Sequence, residues 1–301
     1  MPSKKPLAAG TIVITGSEPQ SAAAAVFRMT ATTGTATEVA SGGDLVTPIG
    51  LAVDGQGNIL IADADAFGGA GGVIRVDPTT GTQTAVSSAG LFSNPFDLAV
   101  EASGTIVVAD PHAKGTGGVI RVDPKTGKQK MLSSGKESGG ATQLREIGIA
   151  LEANGSIIIV EQSLAGGGMG NGRITRINPR TGTRRVVCEG GAFASPAGVA
   201  IEADGGIVVA DTAAFGGGGG VIRVDPASGA QTTVASGGSF VTPIAVAVEA
   251  KGTVLVADAD AFAGKGGVFR VNPKTGAQKA VSEGGKFAGP RGVAVVPAPP
   301  H

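Results

Sequence analysis

The chain has 301 residues with 24 basic and 24 acidic side chains, so its formal net charge is zero. That balance lacks the basic footprint of a nucleic-acid binder. With no Trp or Tyr and only ten Phe, it also lacks the aromatic faces on which bases and sugar rings stack. Two histidines, His112 and His301, cannot build a His-rich zinc site and leave little room for histidine acid–base chemistry. The single cysteine excludes an intrachain disulfide. The opening segment MPSKKPLAAG holds two lysines but no apolar stretch, so no secretory signal is expected and a cytoplasmic location is. The apolar runs are far shorter than the ~20 residues of a membrane span.

In chain order, the first elements are three short runs, TIVIT, VFRMT and TEVAS. From there one pattern recurs. The segment Asn94–Gly140 shows it in full: NPFDLAV, a tight turn at EASG, then TIVVAD, the Gly-rich loop PHAKGTGG, VIRVDP, a turn at DPKTG, and the more polar KQKMLSS. Short β-branched runs bounded by Gly, Pro and Asp read as strands, and no stretch keeps a helical period with caps. Each unit is thus four antiparallel strands, A to D, with polarity expected to rise from A to D. Six second strands end at Gly16, Asp63, Asp110, Glu161, Asp211 and Asp258, spaced 47 to 51 residues apart. Periods of this size mark solenoids, propellers or arrays.

The first unit lacks a strand A, and the chain closes on a strand A without its unit, GPRGVAVVP at Gly289–Pro297. Pairing the two removes the open sheet edges. The expected fold is all-β: one six-bladed β-propeller domain over residues 1–301, with the C-terminal strand (290–297) completing the first blade.

The blade pattern P-x-x-x-A-V … G-x-I-x-V-A-D … G-x-I-R-V-D-P-x-T-G resembles that of the NHL-type and SMP-30/gluconolactonase-like six-bladed β-propellers. The resemblance covers nearly the whole chain. It implies a propeller fold in a group that includes lactonases, lyases, ligand binders and protein-interaction scaffolds. It also implies, for the lactonase members, a divalent metal held by acidic and Asn side chains at one channel mouth.

Antiparallel order places the B–C loops and D–A connections on one face, and binding residues concentrate on loops carried by a rigid scaffold. A protein partner or small ligand is therefore expected on that face. Five acids end strand B there: Asp63, Asp110, Glu161, Asp211 and Asp258. They are candidate ligands for Ca²⁺, which takes oxygen donors. The competing reading gives each acid to backbone N–H groups of its own loop, or to the strand-C arginines Arg28, Arg75, Arg121, Arg176, Arg223 and Arg270. A second acidic set, Asp54, Glu101, Glu152, Glu202 and Glu249, starts the A–B turns and reads as solvated turn residues or as a cation-attracting channel mouth.

Departures from the repeat carry more information than the repeat. Asp97, Arg145, Glu146 and Arg291 stand near the start of strand A, where other units carry small or apolar residues. Together they are candidates to hold a small anionic or zwitterionic ligand, with arginine as the carboxylate or phosphate fork. The long segments Lys136–Gln143 and Ser163–Gly172 lie beside them. Phe67, Phe215 and Phe262 recur in the B–C loops and are expected to pin those loops onto neighbouring blades, or to form an apolar patch. Cys188 has no nearby histidine and reads as a bland, semi-buried thiol. No G-K-[ST] ends any Gly run, so no phosphate loop is indicated. The function these features favour is non-catalytic binding or scaffolding through the loop-rich face. The alternatives are a divalent-metal-dependent hydrolase or lyase of the lactonase type, and a structural subunit of a larger assembly.

Overall fold

The structure, a computed structural model, describes residues 5–135, 144–163 and 172–298. Six four-stranded antiparallel sheets form the blades of a propeller. The innermost strands are Ala288–Val295 in blade 1, Pro48–Val53 in blade 2, Asp97–Val100 in blade 3, Leu144–Leu151 in blade 4, Pro196–Ile201 in blade 5 and Pro243–Val248 in blade 6. Each touches the next, and Ala288–Val295 touches both Pro48–Val53 and Pro243–Val248, so the ring closes. Closure comes from the expected pairing: Ala288–Val295 runs antiparallel to Ile12–Ser17, with Ile12 opposite Val295 and Ile14 opposite Val293. Among the described residues no helix is long and apolar enough to cross a membrane.

The core is divided among the seams between blades. Side chains alternate across a strand, so Ile59 and Ile61 pack toward blade 1 while Leu60 and Ala62 pack toward blade 3. Burial therefore peaks in the middle of each blade. Ile59–Asp63, Ile106–Asp110, Ile207–Asp211 and Val254–Asp258 are buried throughout. The inner strand is less buried, as in Pro196–Ile201 and Pro243–Val248, because one of its faces lines the axis. Polarity thus has its minimum at strand B rather than rising steadily from A.

Local chemistry explains the repeated turns. In the D-P-x-T-G hairpins, the carboxylate of Asp77 accepts N–H bonds from Thr79 (2.7 Å) and Thr80 (3.1 Å). These bonds hold its carboxyl below the usual range, and Gly81 closes the turn at φ +77°. In the B–C loops, Phe67, Phe215 and Phe262 adopt left-handed φ of 57°, 56° and 54°, a conformation costing roughly 1–2 kcal/mol for an L-residue. Their rings fold back over Gly72, Gly220 and Gly267, where an added Cβ would come within 2.6, 2.6 and 2.4 Å of them. The rings pin each loop onto its own blade, and Phe67 and Phe262 also pack against the seam with the preceding blade. Phe215 remains 42% exposed.

Candidate functional site

The strand-B acids hold the loops of the upper face. Both oxygens of Asp63 accept backbone N–H bonds: from Val46 (2.9 Å) and Thr47 (3.0 Å) of the D–A connection, and from Asp65 (3.1 Å) and Ala66 (2.9 Å) of the B–C loop. Asp211 and Asp258 repeat all four bonds, and Asp110 accepts from Ser93, Asn94 and His112. All four aspartates are fully buried. Burial raises the Asp63 carboxyl even against these four bonds. Among the described residues no three or more Asp, Glu, His or Cys gather where they could hold a metal ion. The donor set for Ca²⁺ is thus not assembled by these residues.

The strand-C arginines do not reach these acids. In register, Asp63 opposes Gly72, while Arg75 opposes Leu60, three residues and about 10 Å farther along the strand. The arginines pair instead with the A–B turn acids on the opposite face. Arg176 binds Glu152 through two bonds of 2.8 and 2.7 Å, Arg223 binds Glu202 at 2.5 and 2.7 Å, and Arg270 binds Glu249 at 2.7 and 2.7 Å. Arg121 binds Glu101, and Arg75 lies 3.9 Å from Asp54. These turn acids are largely shielded partners of arginine rather than solvated turn residues. Arg28 has no acid of this set and donates to the Lys5 carbonyl (2.7 Å).

Blade 4 departs from the repeat at five coordinated positions. Blade 2 has Pro48, Asp63, Gly72, Ile74 and Gln83 where blade 4 has Glu146, Glu161, Arg173, Thr175 and Arg184. Glu146 sits opposite Glu161, as Pro48 sits opposite Asp63, and therefore takes the place of the proline. Its fully buried side chain points into the blade. Arg173 Nε donates to Glu161 (2.6 Å), Thr175 Oγ1 also donates to it, and Arg184 contacts both Glu161 and Glu146. In blades 2, 3, 5 and 6 a glutamine stands at the Arg184 position and accepts an N–H from the preceding blade, as Gln83 does from Asp44 (2.8 Å). Burial lifts the Glu146 carboxyl to about 7, with Arg184 pulling it down and Glu161 pushing it up.

The remaining three departures meet at the axis. Asp97, Arg145 and Arg291 line one cavity of about 240 Å³ on the loop-rich face, together with Gln162, Thr212 and the apolar residues of the inner strands. Glu146 does not join them. Asp97 stands in the column of Gly50, Gly148, Gly198 and Ala245. There the inner strands approach so closely that a Cβ on Gly50 would lie 2.5 Å from Cα of Asp97. Asp97 Oδ1 accepts the Leu98 N–H (2.9 Å) and Oδ2 accepts the Ile149 N–H (3.0 Å), bridging blades 3 and 4. Burial outweighs these bonds and pushes its carboxyl up to about 7. The folded chain then holds this proton more tightly than the unfolded chain. The resulting stability is full below about pH 4 and is lost as pH rises through about 7.

Arg145 replaces the Thr47 and Ser195 of sister blades, and Arg291 replaces Ile49, Ile147 and Ile244. Neither arginine enters an ion pair or hydrogen bond among the described residues, and Arg145 Nε is buried without a partner. Inner-strand bulges at Glu146/Gly148, Pro196/Val199 and Thr15/Ser17 turn side chains at this mouth. Gln162, which the sequence reading missed, opposes Arg145 and donates to Ser195 Oγ (2.9 Å) and the Pro196 carbonyl (3.0 Å). Of the segments expected to flank the site, Lys136–Gln143 lies wholly outside the described residues and Ser163–Gly172 does so except for its two end residues. Cys188 is half-buried, and burial raises its thiol.

No family model and no curated protein matches the chain in sequence. Solved structures match it in fold. The propeller in a nidogen/laminin complex aligns with a TM-score of 0.73 at 16% identity, covering 95% of this chain and 98% of that one. TolB from Acinetobacter baumannii aligns with a TM-score of 0.70 at 17% identity, covering 96% and 67%. A gluconolactonase from Xanthomonas campestris aligns with a TM-score of 0.64 at 15% identity, covering 95% and 90%. At these identities the likeness shows the fold: a six-bladed propeller whose distant structural neighbours include a gluconolactonase.

Proposed function

We propose that this chain is a non-catalytic binding propeller that takes a small anionic or zwitterionic ligand into the axial pocket of its loop-rich face. One observation carries the reading. Three charged departures from the repeat, Asp97, Arg145 and Arg291, converge on one cavity, where every sister position holds an uncharged residue. Duplication alone would have kept the consensus residues, and the fold does not need the two arginines, whose side chains have no partner among the described residues. Among the described residues of the pocket no nucleophile, base and oxyanion donor come together. The lactonase alternative needs several carboxylates on one ion, and among the described residues this pocket presents one acid, Asp97, whose oxygens both accept backbone N–H bonds.

Scanning calorimetry suits the test, since the chain has no Trp for fluorescence. Hexanoate, inorganic phosphate and norleucine should be compared with neutral glucose. A ligand bound only by the native state raises stability by mass action, by about 2.7 kcal/mol at a hundredfold excess over Kd. At least one charged probe is expected to raise Tm, and Arg145→Gln and Arg291→Gln should each shrink the rise. No response to any charged probe, or variants that respond like the wild type, would contradict the proposal.

A further inference from the structure

Resting on that reading, we propose that the pocket selects a monocarboxylic acid with a short unbranched apolar tail. The polar groups stand toward the mouth: Arg145 opposes Gln162 at the start of its strand, and Arg291 lies next to Pro290 at the start of strand A. The walls beneath are Leu51, Ile149, Val199, Val246 and Val293. A planar guanidinium matches a carboxylate in two parallel hydrogen bonds, and two such groups stand here without an ionic partner among the described residues. Below them no side chain offers hydrogen bonds to several hydroxyls. A sugar or polyol in the same space would leave its hydroxyls unpaired, which is unfavourable. Asp97 is a weakened partner for an ammonium group, because Leu98 and Ile149 already donate to its two oxygens. Inorganic phosphate would reach the arginines but leave the apolar walls uncovered.

Size points the same way. At about 30 Å³ per water, a 240 Å³ cavity holds on the order of eight water-sized groups. That is below the usual range of about 300–1,000 Å³ for larger ligands. A carboxylate with a handful of methylenes fills it. The tail then lies along the inner strands of several blades and the acid group faces the loops.

Isothermal titration over propanoate, butanoate, pentanoate and hexanoate tests the idea. Affinity should rise about fourfold per added methylene. Hexanol, hexylamine and inorganic phosphate should bind at least tenfold more weakly than hexanoate, and norleucine more weakly too. Arg145→Gln and Arg291→Gln should each cut hexanoate affinity about tenfold. Ala197→Ile places in blade 5 the side chain that Ile49, Ile147 and Ile244 already supply at that position, so the fold tolerates it. It should weaken hexanoate more than propanoate by narrowing the pocket. Phosphate or norleucine binding more tightly than hexanoate, or a series with no dependence on chain length, overturns the tailed acid while leaving a charged-ligand pocket intact. Absence of binding by every charged probe overturns the pocket itself.

Discussion

Replacing Arg184 with Leu is expected to lower the unfolding free energy by about 3–5 kcal/mol, because it leaves buried carboxylates without their cation. For a chain of this length that is a fall in Tm on the order of 10 °C. Arg184 is 6% exposed and its partners Glu146 and Glu161 are fully buried. Its other Nη atom reaches Ser133 Oγ and the Ser134 carbonyl, both at 3.4 Å, so the side chain fastens blade 3 to blade 4. This seam has the smallest apolar core among the described residues: seven buried side chains against eleven or twelve in each of the others. The charges therefore matter more here than an equal pair would elsewhere.

The loss should depend on pH. Glu146 binds its proton up to about pH 7 in the native protein, and removing Arg184 takes away the group that pulls this value down. An acid with a raised folded pKa destabilises the native state as pH climbs from its unfolded value to its folded one. At pH 5 Glu146 is neutral with or without Arg184, so the penalty should be smaller there than at pH 8. Urea unfolding followed by circular dichroism at both pH values checks this, with the exposed Arg185→Leu as control. An Arg184→Leu chain no less stable than the control would refute the seam argument.

Asp258→Ala is the second large effect. The carboxylate accepts N–H bonds from Val241 (2.8 Å), Thr242 (3.0 Å), Asp260 (3.1 Å) and Ala261 (2.9 Å) in a fully buried site. Alanine leaves four donors facing a void. Each buried orphan costs about 1–3 kcal/mol, and entry of water relieves part of this, so a net loss of about 4 kcal/mol is expected. Calorimetry measures it, and amide hydrogen exchange should show faster exchange at Val241 and Thr242. If Asp258 serves the fold in this way, added Ca²⁺ should leave both the wild-type and the variant Tm unchanged. A Ca²⁺-dependent rise in the wild type alone would return these acids to a metal role.

The fold was legible because every level of the sequence agreed: β-branched runs of strand length, Asp-Pro and Gly turns, a fixed period, and complementary half-units at the two ends. Much of the site was legible too, because Asp97, Arg145 and Arg291 break a repeat that fixes where they stand. The errors were errors of register. Gly148 matches Gly50, which puts Glu146 in the proline column, so it faces the blade and not the axis. The strand-C arginines sit three residues past the strand-B acids, a distance invisible without the pairing. The buried Arg173–Glu161–Arg184–Glu146 set had a signal that went unread. Gln83, Gln129, Gln231 and Gln278 form one column, and Arg184 breaks it. Gln162 had no such signal, since its column varies from blade to blade.

The central claim is that Arg145 and Arg291 stand on the axis for binding and not for the fold. Its most direct test restores the sister residues at both positions at once: Arg145→Thr and Arg291→Ile. Neither arginine has a side-chain partner among the described residues, and Arg145 Nε is buried unpaired, a cost the substitution removes, so this chain should unfold at the same or a higher temperature. Titrated with hexanoate beside the wild type, it should give no binding heat where the wild type gives a saturable isotherm. A restored chain that binds as tightly as the wild type, or that fails to fold, would contradict the account.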